Sequence, residues 1–395
     1  MNSPLDQRHY HCLTCVRLVH FILCGASAAH ARQTDRSITF TIYLVIVPGF
    51  RYIIDETMGF LMEPNDYVNR LRHAMEISET PRFSPDYIAQ CCTYAENLLK
   101  QGLPVLFDQT HIRKVLGMAA PRLCDYHRFT IPKHNGSRII TAPSRKLKLR
   151  QQWIYQNILI RKEASPYTHG FVPERSIVTN AILHIGYAYT YCVDITDFFP
   201  SITKKQVLPI FRNMGYSGSA ASTLCDLCCC DGVLPQGAPT SPYLSNMICR
   251  DLDEDLGAMA RGFHGIFTRY ADDIAISANQ QQPWLLDALG LILGKHGFSM
   301  NLDKCRIYNP GQPKRITGLT VHNRVSVPKA FKRKLRQEIH YCQKFGVTAH
   351  LENTKAARSI HYREHLYGKA YYVKMVEPEL GAHFLDELSK VDWPE

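Results

Sequence analysis

The feature that most constrains this 395-residue chain is a pair of adjacent aspartates set between two apolar runs. Asp272 and Asp273 follow a run that ends at Tyr270 and precede the apolar run Ile274 to Ile276. Apolar, β-branched flanks predict a strand, a tight turn and a second strand, with both carboxylates at the tip of a buried hairpin. A buried charge is costly unless it is paired or bound to a metal, and magnesium takes hard oxygen ligands. The pair therefore predicts half of a metal site for nucleotidyl transfer, and an Asp-Asp turn with solvated side chains is the alternative.

A third carboxylate lies upstream. The short apolar run Tyr191 to Val193 predicts a strand that delivers Asp194 at its end, and the Phe-Phe-Pro-Ser that follows predicts a helix start with Ser201 as a cap. A two-metal centre needs carboxylates that bridge both ions, and Asp194 together with Asp272 meets that need. Asp197 is the alternative third acid, although its position beyond the strand favours a role at the helix start.

Two of these segments, Asp194 to Phe199 (DITDFF) and Tyr270 to Asp273 (YADD), resemble the catalytic motifs of reverse transcriptases. The surrounding blocks follow the order of that family: Ile131 to Ile140, a hairpin that turns at Asn135-Gly136; Leu234 to Pro242, rich in Gly and Pro; and Gly297 to Lys304. The resemblance covers about half of the chain. It implies an α+β fold, a right-hand polymerase of fingers, palm and thumb with an antiparallel palm sheet backed by helices.

The resemblance also implies a centre with two magnesium ions, which extends a 3′-hydroxyl with deoxynucleotides. The catalytic acids are Asp194, Asp272 and Asp273, and the metal positions are these three and Ile195. One ion lowers the pKa of the attacking hydroxyl, and the other stabilises the leaving pyrophosphate. Lys304 is the candidate proton donor to that pyrophosphate.

Four further side chains are assigned to the nucleotide by the same resemblance. Lys133 and Arg138 come from the two arms of the hairpin and would grip the triphosphate, with a solvated basic face as the alternative for both. Gln236 would contact the incoming nucleotide or the template. Phe199 would pack under the sugar and exclude a 2′-hydroxyl.

Within the family, three segments are similar to those of retron enzymes. They are Asn180 to His184 (NAILH), Ile316 to Leu319 (ITGL, with Ile where the pattern has Val) and Thr168 to Phe171 (THGF). This similarity implies RNA contacts by Asn180, His184, Thr317 and Gly318. The alternative for His184 is a helix-face histidine that packs on the palm.

Resemblance to retron enzymes further implies a set of partners. A dedicated structured non-coding RNA would serve as template and primer, deoxynucleoside triphosphates as substrates, and a branched RNA–DNA hybrid would be the product. A role in phage defence with a separate effector protein is implied as well. The alternatives are a reverse transcriptase of the group II intron or diversity-generating type, and a non-catalytic RNA-binding scaffold. Three buried acids argue against the scaffold.

The net charge of +11 indicates an anionic partner, either nucleic acid or a membrane surface. Apolar residues recur every four positions after Pro328, which predicts an amphipathic helix. Its basic face holds Lys332, Arg333, Lys334 and Arg336. By position this is a thumb helix laid along a duplex backbone, where contacts give affinity but no sequence reading. A merely solvated face is the alternative.

The motif order divides the chain into four parts. Residues 1–57 are an extension of uncertain status and possible dispensability, 58–125 a helical lead-in, 126–318 the fingers and palm, and 319–395 a helical thumb. The extension carries a signal-like segment and a second apolar run that is too short to span a membrane. We expect that neither segment targets the protein. Translation is expected to start at residue 1, at Met58 or at Met62. The enzyme is expected to be cytoplasmic, without membrane contact.

Fourteen cysteines include Cys12 and Cys15 and a cluster from Cys225 to Cys230. A structural zinc site needs four ligands in one place, and these two groups are far apart in sequence. Reduced thiols in the cytosol are the expectation.

Overall fold

The structure, a computed structural model, describes residues 44–45, 52–53, 63–78, 82–118, 125–133, 136–353 and 361–394. The expectations for the N-terminal extension and for Cys12 and Cys15 lie outside these residues. In that region only the antiparallel pairing of Leu44–Val45 with Tyr52–Ile53 is described.

Three helices open the well-packed part of the chain, at Pro64–Glu76, Pro85–Leu99 and Gln109–Val115. The second begins because the Ser84 hydroxyl accepts a hydrogen bond from the Tyr87 N–H, and the third because the Asp108 carboxylate accepts one from the His111 N–H at 2.8 Å. Their apolar faces join the larger of two cores.

An antiparallel hairpin follows, made of Tyr126–Lys133 and Gly136–Pro143. Lys133 pairs with Gly136, so two residues connect the strands, and the connection lies one residue before the predicted turn at Asn135-Gly136. Phe129, Ile131 and Ile139 are exposed, so this hairpin projects from the core. A helix at Arg145–Asn157, a 3-10 turn at Leu159–Arg161 and a helix at Ile177–Ile182 lead to the central sheet.

The central sheet has four antiparallel strands. In spatial order they are Ile266–Tyr270, Asp273–Ala278, Tyr189–Ile195 and Met300–Tyr308. The helices that connect these strands are Phe198–Ser201, Lys204–Asn213, Gly218–Cys228, Ser241–Ile248, Arg250–Gly262 and Leu285–Lys295. Alternate strand residues such as Val193 and Ile274 belong to the larger core, while Cys192 and Ala275 belong to the second. The sheet thus separates two cores.

The C-terminal part builds the second core. A small sheet of Lys314–Ile316, Leu319–Val321 and Val325–Ser326 precedes four helices at Lys329–Phe345, Val347–Asn353, Tyr362–Val376 and Pro378–Ser389. Leu335, Leu366 and Phe384 are buried among these helices. The fold is therefore mixed, with antiparallel sheets and helices, in agreement with the predicted α+β class.

A fully buried ion pair ties the sheet to its helices. Arg269, in the edge strand, donates from Nε and Nη2 to the two carboxylate oxygens of Asp253 at 2.6 and 2.8 Å. Both side chains have no exposed surface. Arg269 also donates to Thr168 Oγ1 at 2.7 Å and to Asn246 Oδ1 at 3.3 Å. A buried charge pair of this kind persists because its geometry and additional hydrogen bonds offset desolvation.

We expect Arg269→Met to lower the free energy of unfolding by about 3–5 kcal/mol, because it leaves the Asp253 charge buried without a partner. Urea denaturation followed by circular dichroism measures this loss. The double variant Arg269→Met/Asp253→Leu should lose less free energy of unfolding than the sum of the losses in the single variants Arg269→Met and Asp253→Leu. Lys100→Met, which removes an exposed pair with Glu96, is the control and should cost less than about 1 kcal/mol. Equal losses for Arg269→Met and Lys100→Met would contradict this account.

Candidate active site

Three carboxylates meet where two central strands end. Asp194 lies directly opposite Asp273 in the register of the neighbouring strands. Asp272 occupies the turn before Asp273, and its carbonyl accepts a hydrogen bond from the Ile195 N–H at 3.0 Å. The side chain of Ile195 is buried in the core, so only its main chain is available to a ligand.

The turn that carries Asp272 has an unusual backbone. Ala271 has a φ of 57°, a region that a non-glycine residue rarely occupies. Its carbonyl accepts a hydrogen bond from Arg269 Nη1 at 3.1 Å. Gly170 packs so closely that a Cβ there would lie 2.7 Å from the Ala271 nitrogen, and the Gly170 carbonyl is held by Asn246 Nδ2 at 2.8 Å. The buried ion pair and its neighbours therefore hold the turn in place.

Burial and neighbouring charges raise the pKa of two of the acids, Asp272 and Asp273. Burial raises the pKa of Asp272, and the charge of Asp194 adds to the effect. Partial burial, with the charges of Asp272 and Asp194, raises the pKa of Asp273 to about 6. Lys304 Nζ lies 2.7 Å from Asp194 Oδ1. A cluster of this charge is a favourable environment for cations.

The donor set fits a divalent metal ion such as magnesium, because all three acids offer hard oxygen ligands. Within the described ranges, no three His, Cys, Asp or Glu side chains are already grouped closely enough to hold a metal. Asp194 instead forms a salt bridge with the Lys304 ammonium, so a cation already lies beside one of the three acids. The same finding applies to the cluster Cys225 to Cys230, where the Sγ atoms of Cys225 and Cys229 are 4.0 Å apart.

A cleft of about 670 Å³ opens beside the acids. It brings together most of the residues predicted to meet the nucleotide, and its lining includes Arg138, Phe199, Gln236, Asp194, Asp272 and Lys304. Lys133 is in the hairpin strand, but its side chain lies outside the described residues.

The loop that carries Gln236 is attached to the projecting hairpin. The Gln236 carbonyl accepts a hydrogen bond from the Thr141 N–H at 2.9 Å. Gly237 has a φ of 132°, and a Cβ there would lie 3.1 Å from the Thr141 carbonyl oxygen, so glycine is required for this approach. The cleft therefore has a wall made of two joined segments.

Phe171 lines the cleft, although its sequence motif predicts no role for its side chain. Its ring is 6.4 Å from that of Phe199 and 6.3 Å from that of Tyr270, and 41% of its surface is exposed. Its φ of 62° is unusual for a bulky residue. The segment Thr168 to Phe171 stands out in the sequence, but the aromatic contact between distant segments has no local signal.

The retron-like segments converge on each other. Asn180 is buried, and its Nδ2 donates to Thr317 Oγ1 at 3.5 Å. Gly318 forms the adjoining turn and is exposed. His184 is fully buried, with hydrogen bonds of 2.8 Å to Ser277 Oγ and Thr268 Oγ1. This position favours the alternative for His184, a histidine that packs on the sheet.

The basic helix Lys329–Phe345 is amphipathic, with Leu335 and Ile339 buried. Arg333, Lys334 and Arg336 are exposed. Arg336 lies 5.8 Å from the centre of the Phe384 ring. Lys332 instead bonds both Glu377 oxygens, at 2.8 and 2.9 Å, because the start of the last helix faces it. The positive charge that this helix face offers to a ligand therefore comes from Arg333, Lys334 and Arg336.

Residues 131–347 match the model of the reverse transcriptase (RNA-dependent DNA polymerase) family. The chain is similar to the retron Ec86 reverse transcriptase of Escherichia coli, with 36% identity over 234 residues, 57% of this chain and 73% of that protein. It is similar to two proteins of Myxococcus xanthus as well, each 32% identical. These are the retron Mx162 reverse transcriptase, with 75% of this chain and 70% of the relative covered, and the retron Mx65 reverse transcriptase, with 71% of each.

The chain therefore belongs to the reverse transcriptase family, and it is an RNA-directed DNA polymerase. Enzymes of this family depend on divalent metal ions and use RNA templates and nucleotide substrates. Within the family, this chain is of the bacterial retron type. Both identifications confirm the resemblance found in the sequence. No helix in the described part of the chain has the length and apolar character needed to cross a membrane.

His184 should make stability depend on pH. Burial, with smaller effects of Lys314 and His169, lowers its pKa to about 3 from an ordinary value of 6.5. Below pH 6.5 the unfolded chain therefore takes up a proton that the native protein excludes, and stability falls as pH falls. When the pH is lowered from 7.5 to 5.5, we expect the free energy of unfolding of the wild type to fall by about 1 kcal/mol more than that of His184→Gln, as measured by urea denaturation. Parallel pH profiles for the two proteins would refute this.

Proposed function

We propose that this enzyme is a right-hand polymerase that copies a dedicated RNA into DNA at Asp194, Asp272 and Asp273. The observation that carries the proposal is the cross-strand pair Asp194–Asp273, with Asp272 bonded beside it, at the edge of a cleft of about 670 Å³. Polymerisation needs acids at the boundary of a space large enough for a nucleotide, and this arrangement supplies both.

The proposed division into subdomains follows the two cores. The hairpin and central sheet, within 126–318, would be the fingers and palm, preceded by a helical lead-in at 58–125. Residues 319–395 would be the thumb, since Leu335, Leu366 and Phe384 pack in the second core, which the sheet joins through Cys192 and Ala275. The status of residues 1–57 remains a prediction from the sequence.

Two magnesium ions would be held by Asp194, Asp272 and Asp273 with the main chain at Ile195. When bound, they would lower the pKa of the attacking hydroxyl and stabilise the leaving pyrophosphate. Lys304 is placed at the same acids and would give its proton to the pyrophosphate.

The cleft side chains would position the nucleotide. Arg138, together with Lys133, would neutralise the triphosphate, since Arg138 is exposed in the cleft and provides a fork of donors. Gln236 would contact the base pair being formed. Phe199, whose ring centre lies 6.4 Å from that of Phe171, would exclude a 2′-hydroxyl from the incoming sugar.

The retron assignment supports a specific RNA as template and primer, a branched RNA–DNA product, and a role in phage defence with a separate effector protein. The relatives are named as retron reverse transcriptases, which supports this biological setting. Arg333, Lys334 and Arg336 would contact phosphates without reading sequence. A cytoplasmic location would give access to deoxynucleotides.

Asp272→Asn should reduce primer extension with magnesium at least about a thousandfold, because metal ions contribute several kcal/mol of charge stabilisation in the transition state. RNA binding, measured by filter binding, should persist. Asp255→Asn, on a helix surface in an ion pair with Lys295, is the matched control and should extend normally. Normal extension by Asp272→Asn would refute the metal assignment.

Phe199→Ala should raise incorporation of ribonucleotides relative to deoxynucleotides by about 10- to 100-fold, as expected when a pocket loses a group that rejects one extra substituent. The measurement is the ratio of kcat/KM values for a matched nucleotide pair. Phe345→Ala, at an exposed phenylalanine in a C-terminal helix, should keep the wild-type ratio. An unchanged ratio in Phe199→Ala would make Phe199 a packing residue instead.

A further inference from the structure

One aromatic side chain of the cleft contacts both catalytic motifs. The ring centre of Phe171 is 6.4 Å from that of Phe199 and 6.3 Å from that of Tyr270, with an angle of 45° between the ring planes in each pair. Aromatic pairs in this range of distances attract each other beyond the effect of the area that they bury. Phe199 ends the motif that begins at Asp194, and Tyr270 begins the motif that holds Asp272. Phe171 therefore connects the side chain that is proposed to exclude a 2′-hydroxyl with the turn that carries an acid.

The main chain before Phe171 is attached to the strand and the turn that lead to the acids. Gly170 packs against that turn so closely that a Cβ there would lie 2.7 Å from the Ala271 nitrogen. One residue earlier, the N–H of His169 donates a hydrogen bond to the Arg269 carbonyl at 2.8 Å. Both contacts involve main-chain atoms, which cannot adjust as the end of a flexible side chain can. The base of the Phe171 side chain is therefore held at a fixed position relative to the acids.

The backbone of Phe171 itself has an unusual conformation. Its φ of 62° is one that a bulky residue rarely adopts, and such a conformation persists only where its surroundings hold it. The side chain lines the cleft and is 41% exposed, so its ring is not part of the packed core. The ring is therefore a fixed projection of its loop into the cleft wall, and its aromatic contacts among the described residues are those with Phe199 and Tyr270.

Phe199 needs such a neighbour to keep a defined position. It lies in the short helix Phe198–Ser201, is half-buried and packs against the larger core. Among the described residues its ring has two aromatic neighbours, the adjacent Phe198, with ring centres 5.3 Å apart, and Phe171. A side chain selects between ligands that differ by one small group only when its own rotamer is locked by the residues around it. Phe171 is the aromatic neighbour that a separate segment supplies, so it can restrain Phe199 from outside the helix.

We propose that Phe171 is a positioning residue for sugar selection, whose ring supports Phe199 and keeps it where a 2′-hydroxyl of the incoming nucleotide would clash. The inference rests on the proposed role of Phe199 in the polymerase. It extends that role, because a ring that does not touch the sugar then determines how strictly deoxynucleotides are selected. Without the Phe171 ring, Phe199 can move away from an added hydroxyl. Ribonucleotides therefore gain from the loss of Phe171, whereas deoxynucleotides do not.

The first experiment measures kcat/KM for a ribonucleotide and its matched deoxynucleotide, with the full-length enzyme, magnesium and a DNA primer on an RNA template. In Phe171→Ala we expect the ratio of ribonucleotide to deoxynucleotide to rise about three- to tenfold, less than in Phe199→Ala because the Phe199 ring is still present. Phe171→Leu keeps an apolar group that can support Phe199, and its ratio should stay within about twofold of the wild type. Phe345→Ala again serves as the control. A palm that is merely loosened lowers both rates in proportion, so a wild-type ratio in Phe171→Ala overturns the proposal.

The second experiment distinguishes an effect through Phe199 from direct contact between Phe171 and the sugar. In the double variant Phe171→Ala/Phe199→Ala, the group that Phe171 supports is already gone. Since residues that act through one another are not additive, the double variant should have the same ratio as Phe199→Ala alone. A ratio that combines both single effects as a product would show that Phe171 acts on the nucleotide independently, and it would overturn the proposal.

Phe171→Gly provides the same measurement if Phe171→Ala does not fold. It also removes the ring, and glycine takes a φ of 62° without strain, so its ratio should rise as in Phe171→Ala. Weaker template binding with a wild-type ratio in these variants would make Phe171 a template contact and would refute the inference. An unchanged ratio in Phe199→Ala refutes the role of Phe199 on which the inference rests. A raised ratio in Phe199→Ala, with the wild-type ratio in Phe171→Ala and Phe171→Gly, refutes the inference alone.

Discussion

The position of the three candidate catalytic acids depends on the buried pair of Arg269 and Asp253. A charge with no exposed surface is tolerated only when every donor has an acceptor, and this guanidinium bonds Asp253, Thr168, Asn246 and the Ala271 carbonyl. These partners come from a loop, two helices and the turn that leads to Asp272. Because the bonds are satisfied in one arrangement only, the pair selects that arrangement and maintains the unusual backbone at Ala271. The contacts that offset the burial of the Arg269 charge therefore also fix the position of the turn that carries Asp272.

The period of two along a strand explains why the chemistry lies at the boundary of two cores. Val193 and Ile274 point into the larger core, whereas Cys192 and Ala275 point into the smaller one. Asp194 and Asp273 share the face of the smaller core, but they stand at the ends of their strands, where Asp273 is exposed. That location gives the acids solvent and ligand access, while the strands beneath them remain buried on both faces.

The strands and the turn that carry the three acids could be predicted from the sequence because their signals are local. An acid pair between apolar runs predicts a hairpin, and an apolar run before Asp194 predicts the strand beside it. Pairings between distant elements have no such signal. Asp253 is 16 residues from Arg269, and Glu377 is 45 residues from Lys332, and each pairing depends on how helices pack. For the same reason, the contact of Phe171 with Phe199 could not be predicted from residue types or spacing, whereas the packed position of His184 is the alternative that the sequence offers. A charged residue that is predicted to lie on a solvated face joins two elements instead when an oppositely charged side chain faces it.

Two of the three retron-like segments, Asn180 to His184 and Ile316 to Leu319, show how such a distant contact is made. Asn180 and Thr317 are 137 residues apart, and a two-residue turn between Ile316 and Leu319 brings them together. Both turn residues have positive φ, 45° at Thr317 and 82° at Gly318, which suits a tight hairpin. Glycine takes this conformation without strain, but a β-branched threonine does not. A strained conformation of this kind persists only where surrounding contacts hold it, and here the bond from Asn180 and the bond to the Ile177 carbonyl hold Thr317.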